Sequence, residues 1–115
     1  DRDSLREFAV HCLNLGVKCV YITVDSRGCQ KKKKKNGKLV EEMVPAVKVD
    51  QVIDTTGCGD SFAGGVGFGL LQKQTDYVGA ARYGNALGAL RTQGKTFAVF
   101  KSLKETNKII EETYF

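Results

Sequence analysis

Between positions 57 and 69 six of thirteen residues are glycine, and that density constrains the chain more than any other feature. Gly64, Gly65, Gly67 and Gly69 alternate with Phe62, Val66, Phe68, Leu70 and Leu71 in a stretch, residues 61–73, whose apolar spacing reads as a helix. Each interior glycine costs a helix roughly 1 kcal/mol relative to alanine, so four in one short helix require the close approach of a neighbour or a ligand. Just ahead lies the string Asp54-Thr55-Thr56-Gly57-Cys58-Gly59-Asp60, placed between a strand end at Val52-Ile53 and the helix start. Glycines on either side of Cys58 let successive N–H groups point into one concavity, and the helix N-terminus adds partial positive charge. The loop therefore reads as an anion cradle. Asp60 is by charge a poor phosphate ligand, but it suits the role of acceptor for the proton of an attacking hydroxyl. Amides for developing phosphoryl charge beside such a carboxylate are the minimum equipment for phosphoryl transfer to an alcohol. On spacing alone a second reading stands beside it, in which Asp60 is an N-terminal helix cap and the glycines make a turn.

The surrounding pattern is that of an α/β fold, taken as a single domain over residues 1–115. Leu5, Phe8, Ala9, Cys12 and Leu15 recur at helical spacing over residues 4–15, behind an Asp3 or Ser4 cap and ahead of Gly16. Residues 17–24 are β-branched and apolar enough for a mostly buried strand, and Asp25-Ser26-Arg27-Gly28 supplies turn chemistry. Residues 29–49 read as a β-hairpin turning at Asn36-Gly37, with five lysines, 31–35, on its exposed arm. A small-residue helix is expected over residues 76–92, and a last one over 102–114, where Ser102 and Glu105 have capping-box spacing.

The string at 54–60, continued by Ser61-Phe62 and Gly64-Gly65, resembles residue by residue the C-terminal signature of the PfkB, or ribokinase-like, family of carbohydrate and nucleoside kinases. The resemblance implies the C-terminal part of a three-layer α/β/α fold. It implies Asp60 as catalytic base and substrate contact, and Gly57, Cys58 and Gly59 as the anion hole. Asp54 and Thr56 would help to hold a monovalent cation such as K+ beneath the loop. Thr23-Val24-Asp25-Ser26-Arg27-Gly28 occupies the place of the family's nucleotide turn, which brings Thr23, Asp25 and Gly28 to the nucleotide. Asp25 stands where the family usually has glycine, so a negative side chain would border the phosphates; aspartate tolerates positive φ. Asn85-Ala86-Leu87-Gly88-Ala89 resembles the helix whose asparagine lies near the adenine. The implied ligands are ATP, Mg2+ and a small sugar, with a nucleoside of the adenosine type as the alternative acceptor. The family members are longer, so the resemblance also implies a missing N-terminal part carrying most substrate contacts, the lid and the acidic residues associated with magnesium. By that reading these residues alone are inactive, and the full-length protein can form a homodimer.

Other classes of function find less support. The net charge of +5 comes from the lysine block: without it, thirteen basic residues face thirteen acidic ones. A nucleic-acid face needs basic residues spread along an element or interleaved with aromatics, so the block reads as a solvated loop. A basic binding module, or a non-catalytic remnant marked by Asp25, remain as readings of another class. Residues 89–96 match a relaxed P-loop by letter at Gly94-Lys95-Thr96, but a helix leads in where that motif needs a strand. Cys12, Cys19, Cys29 and Cys58 have no paired metal spacing, and His11 points away from Cys12 on a helix. No apolar run approaches the ~18 residues of a membrane span, and the first residues carry no leader pattern, so the expected location is cytoplasmic.

Overall fold

The computed structural model describes residues 2–115, and of Arg2 and Asp25 the backbone alone. Helix α1 (Arg2–Asn14) leads into strand β1 (Val20–Thr23), then β2 (Gly28–Lys35) and β3 (Lys38–Pro45); helices α2 (Cys58–Gln72), α3 (Tyr77–Arg91) and α4 (Leu103–Tyr114) follow. The three strands form one antiparallel sheet in the order β1-β2-β3. Asn36 and Gly37 turn the hairpin with φ of 54° and 77°, the two left-handed conformations of a type I′ turn. Strand β1 is shorter than the apolar run suggests, and it is half-buried, with Thr23 exposed.

One face of the sheet carries the core. Cys29 and Val44, direct partners across β2 and β3, meet Ala81 of α3, with Tyr21, Phe62, Val78 and Tyr114 packed around them. On the other face Arg6 of α1 reaches Glu41 of β3 at 2.9 Å, and Ala9 and Leu13 are the buried apolar residues of that helix. Helices thus cover both faces of the sheet.

The lysines at 31–35 form most of the central strand, and the expectation of a solvated arm holds at the exposed Lys34 and Lys35 but fails at Lys31 and Lys32. Lys31 and Lys32 are 8% and 1% exposed. The hairpin register sets them directly opposite Glu42 and Glu41, with Nζ–Oε1 distances of 3.2 and 3.3 Å. Cross-strand pairing of opposite charges is what allows lysine to enter a strand interior. Lys33 lies 5.4 Å from the ring centre of Tyr77, and Lys34 donates to Asn14 Oδ1. Lys31 and Lys32 are thus consumed in the fold and offer no free basic face.

Two of the four helix glycines answer the demand for a close neighbour. A Cβ on Gly65 would stand 2.5 Å from the Tyr83 carbonyl oxygen, and one on Gly69 would stand 2.6 Å from Ala80 Cα. Gly64 and Gly67 are exposed and look into open space. The glycine stripe therefore lets α2 lie directly on the backbone of α3.

Candidate active site

The chain between β3 and α2 has no regular structure and is strapped to the end of α3. The Ile53 and Asp54 N–H groups both donate to the Thr92 carbonyl, at 2.7 and 3.2 Å, and the Gln93 side chain donates to the Gln51 carbonyl at 2.9 Å. Asp54 Oδ1 accepts the Thr56 N–H at 2.8 Å, closing an Asx turn. That backbone bond, with help from the Thr56 hydroxyl and then from the charges of Arg91 and Lys95, holds the Asp54 carboxyl below the usual carboxylate range. Gly57 follows with φ 81° and ψ 6°, a left-handed conformation that favours glycine.

Helix α2 begins at Cys58, three residues earlier than apolar spacing alone suggests. Gly57 is its N-cap and no side chain caps it. Asp60 sits third in the first turn, exposed, and is therefore not the N-cap residue. The Cys58 N–H is engaged by the Thr55 carbonyl at 3.2 Å. Among the described residues the N–H groups of Gly57, Gly59 and Asp60 have no acceptor. An uncapped amide turn and an exposed carboxylate thus share one helix N-terminus. Burial pushes the half-buried Cys58 thiol up, against the pull of the Arg91 charge.

Beside this turn opens a cavity of about 620 Å3, walled by Val47, Val49, Cys58, Phe62 and Asn85 and reaching Thr23. It gathers Thr23, Cys58, Gly59 and Asn85 of the residues expected from the sequence. Asp54, Thr56, Gly57 and Asp60 lie in the adjoining loop and turn, outside its wall. Gly28 also stays outside; its φ of 110° and the Val44 carbonyl oxygen, 2.1 Å from where a Cβ would stand, account for its being glycine. The Asp25 side chain is outside the described residues. Asn85 is buried, and its Nδ2 donates to the carbonyls of Pro45 and Val44 at 2.9 and 3.2 Å, with Tyr114 Oη at 3.0 Å.

Three residues enter the site without having been marked by the sequence. Phe62 packs edge-on to Tyr21, with ring centres 6.1 Å apart, and forms part of the cavity wall; its place four residues after Cys58 on one helix face was an available signal. Tyr114 reaches Pro45 and Asn85 from the far end of the chain, a placement with no local signature. Arg91, 5% exposed, lies under the loop: its Nε is 3.4 Å from where a Cβ on Gly57 would be, and its terminal NH1 donates to the Gly94 carbonyl at 3.0 Å. The P-loop spelling has no counterpart in the fold, since Ala89 lies within α3 and no helix starts at Lys95. No group of three or more His, Cys, Asp or Glu that could hold a metal occurs among the described residues, and none of their helices is long and apolar enough to cross a membrane.

The family model described as pfkB family carbohydrate kinase matches residues 1–99. Over 53 residues the chain is 45% identical to the 2-dehydro-3-deoxygluconokinase of Bacillus subtilis, covering 46% of this chain and 16% of that protein. Over 110 residues it is 30% identical to the ribokinase of Staphylococcus aureus, covering 95% of this chain and 34% of that protein. Among solved structures it superposes on the Burkholderia thailandensis nucleoside kinase in complex with ADP-inosine with a TM-score of 0.76 at 28% identity, over 95% of this chain and 31% of that one. The chain therefore spans about a third or less of the length of these relatives.

Proposed function

Because the chain belongs to the pfkB family of carbohydrate kinases, we propose that it forms the catalytic-loop part of a kinase that moves the γ-phosphoryl group of ATP to a hydroxyl of a sugar. The observation that carries this reading is the N-terminus of α2, where three N–H groups without acceptors and the exposed Asp60 adjoin a largely apolar cavity. In this reading the adenosine part of ATP occupies the cavity beside Asn85 and Thr23, with the phosphates toward Gly57 and Gly59. Asp60 accepts the proton of the attacking hydroxyl as its oxygen bonds to Pγ and the Pγ–O bond to ADP breaks. The helix N-terminus stabilises the charge developing on the transferred group. Mg2+ bound with ATP would neutralise phosphate charge. A nucleoside is the second acceptor class, favoured by the likeness to the Burkholderia thailandensis nucleoside kinase.

The test is Asp60→Asn in the full-length protein. Loss of a positioned general base costs about 10²- to 10⁴-fold in turnover. ATP affinity, read by calorimetry, is expected to stay within about twofold, because Asp60 carries no binding charge toward the phosphates. Turnover indifferent to the substitution would remove Asp60 from the mechanism. The 115 residues alone are expected to show no phosphorylation of a sugar.

A further inference from the structure

The resemblance to the kinase family implies a monovalent cation near Asp54 and Thr56, and the residues beneath the loop do not fit one. Three oxygens around the loop already accept from N–H groups: Asp54 Oδ1 from Thr56, the Thr92 carbonyl from Ile53 and Asp54, and the Gly94 carbonyl from Arg91. A monovalent cation is held by oxygen atoms that replace its hydration shell, so an ion here would have to share these oxygens with their N–H donors. A full positive charge is already there. Arg91 is buried, its Nε is 3.4 Å from where a Cβ on Gly57 would stand, and its guanidinium lies 5.5 Å from the Phe97 ring centre. Its Nε–H is buried without an acceptor, which is costly for a charged donor and calls for an explanation. Asp54 and Cys58 both feel that charge.

We propose that Arg91 is a built-in replacement for the monovalent cation: a positioning residue whose fixed charge holds the 54–60 loop and makes the protein indifferent to K+. The role in phosphate binding rests on the kinase reading above; the exclusion of K+ does not.

The test compares the full-length protein in KCl and in choline chloride at equal ionic strength, first by thermal midpoint without nucleotide and then by ATP affinity. In the wild type, K+ is expected to change neither the midpoint nor, beyond about twofold, the affinity. Arg91→Ala should bind ATP about tenfold more weakly in choline and recover part of that loss in K+, whereas Arg91→Lys should remain indifferent to K+. A midpoint of the wild type raised by K+ and not by choline would overturn the proposal. So would an Arg91→Ala protein that binds ATP as tightly as the wild type in choline, or gains no response to K+. If Arg91→Ala fails to fold, Arg91→Gln takes its place, and the wild-type midpoints still decide. Absence of ATP binding by the wild type in both salts would strike the kinase reading, while the midpoints, taken without nucleotide, would go on judging Arg91.

Discussion

Gly65→Ala is expected to destabilise the protein even though alanine is the better helix former. In an open helix position the exchange gains about 1 kcal/mol. At Gly65 the new Cβ would stand 2.5 Å from the Tyr83 carbonyl oxygen and 2.7 Å from its carbon, so reaching an ordinary contact of 3.4 Å takes about 0.9 Å of separation between α2 and α3. Both atoms are backbone and cannot swing aside, which puts the strain at the upper end of the ~1–3 kcal/mol typical of overpacking. The net expectation is a loss of about 2 kcal/mol, seen as a fall in the urea midpoint on the order of 1 M. Gly64→Ala is the control on the neighbouring residue: nothing lies within 4 Å of its Cβ position, so it should gain about 0.5–1 kcal/mol. Gly69→Ala, 2.6 Å from Ala80 Cα, should also destabilise, and the double substitution should cost less than the sum because one separation relieves both contacts. A Gly65→Ala protein as stable as Gly64→Ala would show that the helices do not touch along this stripe.

Two further outcomes follow from the charged strand. Lys32→Met should leave stability within about 1 kcal/mol or raise it, because an apolar chain of similar length suits the buried site. Glu41→Ala should lose about 2 kcal/mol by leaving Lys32 unpaired, a figure reduced for the partial exposure of Glu41; equal losses in chemical denaturation would contradict this account. The Glu41 carboxyl is held below its ordinary value, first by the hydrogen bond from Arg6 and then by Lys32. A depressed folded-state value contributes stability that is present above the ordinary carboxylate range and disappears as pH falls through the depressed one. The urea midpoint should therefore hold from neutrality to about pH 5 and decline below about pH 4. Glu41→Gln should flatten that decline; an unchanged acid slope would refute the pairing.

Features set by adjacent residues could be read from the sequence. Asn36-Gly37 permits the left-handed pair of a type I′ turn whatever surrounds it, and Ser102 accepts the Glu105 N–H at 3.2 Å as its spacing foretells. The 54–60 string located the loop for the same reason, but the strand expected to end at Val52-Ile53 is absent and the helix starts at Cys58 rather than at residue 61. What could not be read depends on who stands opposite. Lys31 and Lys32 look like any solvated lysines until the hairpin register sets Glu42 and Glu41 against them. Gly64 and Gly65 are indistinguishable along the chain, and only the rotation of α2 on α3 gives the second a neighbour. Asn85 carried a signal through its motif, but its fixation by Pro45 and Tyr114 depends on residues far away in the chain.

The contacts between α2 and α3 run in opposite directions along the two helices. Gly69 meets Ala80, Gly65 meets Tyr83 and Gly84, and a Cβ on Gly88 would lie 3.7 Å from the Cys58 carbonyl oxygen. The N-terminus of α2 is thereby set beside the C-terminus of α3. The carbonyls at that C-terminus carry partial negative charge, which taken alone would offset the positive end of α2 that the anion reading needs. Three features counter it. The Thr92 carbonyl is turned to the loop amides of Ile53 and Asp54, the Gly94 carbonyl is bound by Arg91, and Arg91 Nε lies 3.4 Å from where a Cβ on Gly57 would stand. The glycine stripe that lets the helices touch thus creates an electrostatic conflict at their shared end. Arg91 is the group placed to resolve it, which explains why a buried cation with an unpaired Nε–H is tolerated there.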